Sequence, residues 1–148
     1  MYVEVLKFNK ERNQLVWDMN NELKMLKEEI QEFWDAETVA ERLDALVDTE
    51  YVWIGTQIKA SYNTVAIPDG LASGIEGSIS LMEEYLQEEL GDKIYECLGK
   101  AREIVCRANA HKGKELDKDG KVMKDGKVPN ATKDIALMIE EVTKPSTY

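Results

Sequence analysis

Apolar residues recur at spacings of three and four along much of the chain, which is the pattern of a helix that buries one face. The first clear case covers residues 14–36. Its apolar stripe consists of Met19, Leu23, Leu26, Ile30 and Phe33. A second helix is predicted from Thr38 to about residue 62. Thr38 and Glu41 have the spacing of a capping box, in which each side chain binds an otherwise free backbone amide.

The next segment, NTVAIPDGLASG at residues 63–74, interrupts this pattern. Pro68 disfavours a helix because its ring clashes with the preceding turn, and Gly70 and Gly74 disfavour one because glycine has great backbone freedom. We therefore expect a loop over these twelve residues.

Helical spacing resumes at residue 75 and predicts a helix that stops at Gly91. Further helices are predicted over residues 92–111 and 132–142. The segment between them, about 112–130, is rich in Lys, Asp and Gly, and its Asp-Gly pairs predict a short hairpin. It is interpreted either as a flap over a substrate or as an ordinary surface hairpin.

These elements predict an all-α protein, a bundle of about four to five helices with one polar, glycine-rich excursion. At 148 residues the chain has the usual length of one domain, so residues 1–148 are assigned to a single domain. No apolar run reaches membrane-spanning length and the N-terminus lacks an apolar signal core. We expect a cytoplasmic protein that does not bind membranes.

The charge and the metal-binding residue types narrow the function further. A net charge of −10 opposes binding to nucleic acid, which depends on many Lys and Arg contacts to phosphates. A bound divalent cation, however, can attract phosphates to an acidic site. The chain has one histidine, His111, and two cysteines, Cys97 and Cys106, without a CxxC pair, so a Cys/His zinc site is not expected.

Carboxylates are concentrated in KEEIQEFWDA, residues 27–36, where Glu28, Glu29 and Glu32 crowd one turn of the predicted helix. Glu29 and Glu32 lie three residues apart on one flank, where both can reach a common point. Like charges at this spacing repel each other unless a cation joins them. The alternative interpretation is a solvated surface, because acidic proteins contain many exposed Glu pairs.

The next predicted helix also carries paired carboxylates, Asp44 and Asp48, four residues apart on the face that includes Gly55. Asp is a poor helix-interior residue because its side chain competes for backbone hydrogen bonds, so two on one face call for an explanation. If the two helices are antiparallel, Glu29, Glu32 and Asp48 can surround one ion. Ligands that are all carboxylate oxygens favour Mg²⁺ or Mn²⁺.

The sequences EEIQE at 28–32 and DALVD at 44–48, followed by TEYVWIGT, resemble the EExxE and ExxD helices of the MazG-like nucleoside triphosphate pyrophosphohydrolases. These enzymes belong to the all-α NTP pyrophosphatase superfamily. The later sequence RANAHKGKELDKDGKVMKDGKVPNA is similar to the tail of phage-type members. The resembling regions together cover about half the chain.

The resemblance implies that Glu29 and Glu32 are one pair of metal ligands and that Asp48 belongs to the second pair. In this register Ala45 occupies the position of the expected glutamate, and Asp44 is the candidate replacement, directly or through water. A second placement takes Glu41 and Asp44 as the ExxD pair, but it leaves a short gap after Glu32.

The resemblance also implies the reaction and the assembly. A nucleoside or deoxynucleoside triphosphate would be hydrolysed to the monophosphate and pyrophosphate by water attack at the α-phosphorus, with Mg²⁺, or Mn²⁺, as cofactor. Glu28 or Glu32 would act as general base. The protein would be a homodimer or a homotetramer, in the host cytoplasm if phage-encoded.

Candidate substrate contacts lie at the predicted end of the helix over 92–111. Asn109, Lys112 and Lys114 are placed to meet phosphates or sugar, although the lysines could equally complement the negative end of the helix dipole. Lys59 is a weaker candidate for a phosphate contact.

Aromatic side chains could form a wall on which the base stacks, with Phe8 and Asn9 reaching over it from a flexible N-terminal start. The candidates are Trp17, Trp34, Tyr51 and Trp53. Aromatic residues are more often core or subunit contacts, so both interpretations stay open.

A different class of function also fits the composition: an acidic helical interaction protein without catalytic activity. In that case the charges would be spread over exposed faces, and the face that carries Asp44 and Asp48 would be solvated.

Overall fold

The structure is a computed structural model that describes residues 1–113 and 130–145. Within these ranges it contains α-helices and one short 3₁₀ helix, Gly91–Lys93, and no strand. The α-helices are α1 (Tyr2–Glu11), α2 (Met19–Asp35), α3 (Val39–Tyr62), α4 (Asp69–Leu90), α5 (Ile94–Ala110) and α6 (Ala131–Thr143). The all-α prediction is confirmed. The hairpin predicted from the Asp-Gly pairs lies outside the described residues.

The capping residues decide where α2 and α3 begin. The Thr38 hydroxyl accepts a 3.1 Å hydrogen bond from the backbone amide of Glu41 and donates a 3.0 Å bond to the Glu41 carboxylate. Helix α3 therefore begins where the capping box predicted. Helix α2 begins later than the apolar pattern suggested, because the Asp18 carboxylate caps it by accepting a 3.1 Å bond from the amide of Asn21.

Helix α1 was not predicted, and the expectation of a flexible N-terminal start is wrong. Val5 is fully buried, and the buried Asn9 donates a 2.9 Å hydrogen bond through Nδ2 to the carbonyl oxygen of Val5. The helix lies close to α3 at Gly55, where an added Cβ would lie 3.4 Å from Asn9 Nδ2 and 3.6 Å from Val5 Cγ1. These are ordinary van der Waals distances, so α1 packs directly against α3 at Gly55.

The prediction of a loop over residues 63–74 is wrong in its second half, because α4 begins at Asp69. Pro68 precedes the helix, where a missing amide hydrogen breaks no intrahelical bond. Gly70 and Gly74 lie on an open face with no atom within 4 Å of an added Cβ. The predicted stop at Gly91 is confirmed, and its φ of +59° is a conformation that favours glycine.

Helix α3 is the central element, because it contacts each of the other α-helices. It runs antiparallel to α2, so residues late in α2 face residues early in α3. The main buried cluster includes Phe33 of α2 and Leu46 of α3, and a smaller one joins Leu26, Trp53 and Ile75. None of the helices in the described ranges is long and apolar enough to cross a membrane.

Candidate metal centre

Three carboxylates converge between α2 and α3. Glu29, Glu32 and Asp48 each offer one oxygen, and these oxygens all lie within 4.8 Å of one another. Oxygen ligands on opposite sides of Mg²⁺, each bound at about 2.1 Å, lie roughly 4.2 Å apart. The arrangement therefore has nearly the spacing that one hard cation requires, and it joins the three residues that the sequence had singled out.

The antiparallel pairing of α2 and α3 produces this convergence. Glu29 and Glu32 share one flank of α2, and Asp48 lies on the part of α3 that passes beside them. Glu32 is exposed, whereas Glu29 and Asp48 are partly buried, and the Oε2 oxygen of Glu29 is itself buried. The cluster is thus open to solvent on the Glu32 side and enclosed on the other.

The electrostatic environment of Asp48 is unfavourable for its charge. Burial raises the pKa of the Asp48 carboxyl well above its usual range, and the neighbouring Asp44, Glu29 and Glu32 carboxylates raise this pKa further. Lys112 acts in the opposite direction and lowers it. A divalent cation among these carboxylates would relieve the repulsion between them.

Asp44 lies close enough to influence Asp48, but its oxygens are not among the three that converge. Its Oδ2 accepts a 2.7 Å hydrogen bond from the hydroxyl of Thr132 in α6. Asn130 begins α6 by accepting a 3.1 Å bond from the amide of Lys133. Thr132 was missed in the sequence because it is 88 residues away from Asp44.

A cleft of about 340 Å³ adjoins the cluster on the side of Glu32. The lining includes Ala45, from the register that uses Asp48, and Glu41, from the register that uses Glu41 and Asp44. Both placements of the second ligand pair therefore lie at the same cleft. Glu41 is not part of the converging group. The complete lining comprises Glu32, Asp35, Ala36, Glu41, Asp44, Ala45 and Thr132.

The end of α5 lies near the cluster, since Lys112 affects the pKa of Asp48. This end is held by Arg12, which follows α1 and is 4% exposed. Arg12 donates hydrogen bonds of 2.7 Å to the carbonyl oxygen of Lys112, 3.1 Å to that of Gly113 and 3.4 Å to that of Asn109. Asn109 is also buried. Arg12 thus donates to carbonyl groups at and just beyond the end of α5.

The remaining candidate polar residues lie elsewhere. Lys59 is buried in an ion pair with Glu22, with Nζ 3.0 Å from Oε2, and is eleven residues beyond Asp48, about 16 Å along the helix. This contact ties Lys59 to Glu22 rather than to the acidic cluster. Glu28 is exposed and is not part of the converging group. Lys114 lies outside the described residues.

The candidate aromatic residues do not form one wall. Tyr51 is 7% exposed, contacts the ring of Phe8 edge-on at 5.6 Å, and has its pKa raised by burial. The face of Phe8 is covered by the guanidinium of Arg12 at 4.1 Å. Trp53 belongs to the smaller buried cluster, and Trp34 contacts two other aromatic rings.

Trp17, the remaining candidate, is partly buried. Asn9 uses its amide within α1, as described above. Each of these aromatic residues therefore has its own local packing role or lies apart from the others.

Comparison of the chain with protein-family models, with curated protein sequences and with solved structures finds no match.

Proposed function

We propose that the protein is a nucleoside triphosphate pyrophosphohydrolase of the MazG-like, phage-type class that depends on Mg²⁺ or Mn²⁺. The observation that carries the proposal is the convergence of the oxygens of Glu29, Glu32 and Asp48 within 4.8 Å. The residues come from the two segments whose sequences resemble the metal-binding helices of that class. Cytoplasm is the proposed location, where nucleotides and Mg²⁺ are available.

Glu29, Glu32 and Asp48 would hold the cation, and all three supply the carboxylate oxygens that Mg²⁺ prefers. When bound, the cation would neutralise negative charge on the phosphate oxygens of the substrate. Lys112, at the end of α5, would add a positive charge on the opposite side and draw the triphosphate towards the cluster.

Removal of a proton from the attacking water needs a carboxylate within hydrogen-bond reach of it. Glu32 suits this role because it belongs to the cluster and is exposed, so it can pass the proton to solvent. Glu28 is the other candidate, and it is exposed on the same turn. Asp44, oriented by Thr132, would support the cluster at the place where Ala45 provides no carboxylate.

The alternative of an acidic interaction protein requires a solvated face around Asp44 and Asp48. Both residues are partly buried, and burial raises the pKa of Asp48. A buried carboxyl with a raised pKa destabilises the fold unless it serves a site. The burial of Asp48 therefore favours the enzyme over the interaction protein.

We propose a homodimer or a homotetramer, as the resemblance implies. Exposed aromatic and apolar side chains provide surface for such an assembly, and they include Trp34, Leu81, Tyr85 and Tyr95. Light scattering coupled to size-exclusion chromatography measures the number of subunits, and a monomer at micromolar concentration would refute this part of the proposal.

The test of the activity is a panel of ribo- and deoxyribonucleoside triphosphates with Mg²⁺ and, separately, Mn²⁺. The expected products are the monophosphate and pyrophosphate in equal amounts. Release of a diphosphate and orthophosphate would overturn the assigned bond. Absence of any nucleotide hydrolysis across the panel with either metal would overturn the proposed function.

A further inference from the structure

A second cavity lies between α1, α3 and α5, apart from the cleft beside the acidic cluster. It has a volume of about 270 Å³ and shares no lining residue with that cleft. Phe8, Arg12, Tyr51 and Cys106 form its inner wall and are buried or partly buried, and the exposed Ala110 lies at its edge. Ligand pockets usually measure roughly 300–1,000 Å³, so this cavity has room for a small ligand.

Tyr51 lines this cavity, and its hydroxyl makes no hydrogen bond within residues 1–113 and 130–145. The residue is only 7% exposed, and its ring is held edge-on against Phe8. Burial raises the pKa of the Tyr51 hydroxyl, so the group stays protonated at neutral pH and remains a donor. A ligand that enters the cavity can therefore use this donor.

Arg12 offers a second donor in the same wall. A guanidinium has five N–H groups, and Arg12 makes four hydrogen bonds, to the carbonyl oxygens of Phe8, Asn109, Lys112 and Gly113. Nη1 uses one of its two N–H groups in these bonds. The Glu11 oxygen Oε2 lies 3.7 Å from Nη1, which is too far for a hydrogen bond. One N–H of Arg12 is thus left without an acceptor in the described part of the chain.

The charge of Arg12 also favours an anion in the cavity. All four acceptors are neutral carbonyl groups, and the Glu11 side chain is 41% exposed, so solvent screens its attraction to Arg12. An anion that accepts a hydrogen bond from a buried cation compensates its charge directly. The charged lining residues comprise three cations and two carboxylates, and one of the carboxylates, Glu4, is paired with the N-terminal amine at 3.2 Å.

The two available donors match the two oxygens of a carboxylate in number. A phosphate group would bring further charged oxygens, and the ring of Phe8 and the methyl group of Ala110 offer them no donor. Charged oxygens left unpaired in an apolar wall cost free energy. The same apolar side chains suit a hydrocarbon or aromatic body.

We propose that this cavity binds a small organic monocarboxylate, with its carboxylate at Tyr51 and Arg12 and its apolar body in the rest of the cavity. The site is separate from the acidic cluster and does not rest on the proposed nucleotide hydrolysis.

The test is a ligand-observed NMR titration of the full chain with acetate, butyrate, benzoate and indole-3-acetate. Each acid is titrated to about 10 mM, at which a site with a Kd of about 1 mM is nearly saturated. We expect saturable binding that is tighter for an acid with a larger apolar body than for acetate. Absence of saturable binding across the four acids would overturn the proposal.

Two competitors test the assigned ligand chemistry. The primary amide of the tightest-binding acid keeps its shape without the charge, and should bind at least tenfold more weakly. Inorganic phosphate at the same concentration should not displace the acid. Equal affinity for the amide, or displacement by phosphate, would overturn the assignment of a carboxylate.

Tyr51→Phe removes the hydroxyl and keeps the ring that packs against Phe8. This variant should bind the tightest-binding acid at least tenfold more weakly than the parent. The matched control is Tyr62→Phe, at an exposed position at the end of the same helix, and it should bind as the parent does. Unchanged affinity in Tyr51→Phe would contradict the proposed site.

Cys106 reports where the acid binds. It is partly buried in the cavity wall, whereas Cys97 is fully buried. A saturating concentration of the acid should slow alkylation of Cys106 by iodoacetamide several-fold, as measured by peptide mass spectrometry. Ala110→Trp places bulk at the exposed edge of the cavity and should abolish binding of the acid. Binding that leaves Cys106 unprotected, or that survives Ala110→Trp, would overturn the assignment to this cavity.

Discussion

Arg12 and Lys112 are joined by a 2.7 Å hydrogen bond from the guanidinium of Arg12 to the carbonyl oxygen of Lys112. The bond links the residue that follows α1 to the end of α5, 100 residues later. Lys112 lies near enough to lower the pKa of Asp48, so Arg12 holds the backbone of a lysine that lies beside the acidic cluster.

Arg12→Met and Lys112→Met are expected each to raise KM for the nucleotide by about tenfold or more, the effect of losing one charge-assisted contact of about 1.5–3 kcal/mol. Because Arg12 acts through Lys112, the double variant should be no worse than Lys112→Met alone. Steady-state kinetics of the four proteins measures this coupling.

Arg107→Met is the matched control for this comparison of single and double variants, because Arg107 is an exposed arginine of α5. It should leave KM unchanged. Strictly additive effects of Arg12→Met and Lys112→Met on KM would show that Arg12 does not act through Lys112.

The double variant Glu29→Gln/Glu32→Gln should fold, and its rate of pyrophosphate release should fall at least a hundredfold. Neither residue can then supply a charged ligand or act as a general base. The double variant should also lose the rise in melting temperature that millimolar Mn²⁺ produces in the parent, since only a ligand that binds the native state stabilises it. Differential scanning fluorimetry with and without Mn²⁺ measures the second effect.

Glu28→Gln separates the two candidate bases. If Glu32 is the base, this variant keeps nearly full activity, and a loss as large as that of Glu32→Gln would transfer the role to Glu28. Glu37→Gln, at an exposed position between α2 and α3, is the control for loss of one surface charge.

Asp48→Asn should stabilise the metal-free protein at neutral pH, because it removes a charge that burial and three carboxylates disfavour. A carboxyl whose pKa is raised in the folded state stabilises the protein fully below its unfolded pKa, about 3.9. That contribution is lost as the pH rises through the folded value, and each pKa unit corresponds to about 1.4 kcal/mol.

Urea unfolding in EDTA between pH 4 and 8 tests whether the stability falls as the pH rises. The parent should lose more stability than Asp48→Asn as the pH rises, and Asp69→Asn, at an exposed position in α4, should follow the parent. Identical pH profiles for the parent and Asp48→Asn would contradict the upward pKa shift.

Thr132→Val should weaken Mn²⁺ binding several-fold, because it keeps the shape of the side chain but removes the hydroxyl that holds Asp44 at 2.7 Å. Thr132→Ser keeps the hydroxyl and should bind as the parent does. Calorimetric titration compares the three proteins. If Thr132→Val binds Mn²⁺ as tightly as the parent, Asp44 takes no part in the site.

Features encoded locally could be predicted from the sequence. The capping box at Thr38 is contained in four residues, and it placed the start of α3 correctly. The pairing of Glu29 and Glu32 with Asp48 needed only helix periodicity and one antiparallel turn. The prediction of the all-α class rests on the same periodicity, repeated along the chain.

Features that depend on distant residues could not be predicted. Helix α1 packs against α3 at Gly55, far along the chain. Lys59 can be buried because it pairs with Glu22, 37 residues earlier. The contact of Arg12 with the end of α5 likewise has no local pattern in the sequence. The loop prediction was wrong at Gly70 for a different reason: a glycine costs a helix only about 1 kcal/mol relative to alanine, and the buried apolar residues further along α4 offset this cost.

That open face of α4 has a dynamic consequence. Gly70, Gly74 and Gly77 each weaken the helix by about 0.5–1 kcal/mol relative to alanine, and no neighbouring atoms lie within 4 Å to compensate. Amide hydrogens in the first two turns of α4 should therefore exchange with solvent through local opening, while those of α3 exchange only on global unfolding. The chain can thus fray at α4 many times without separating the carboxylates of α2 and α3.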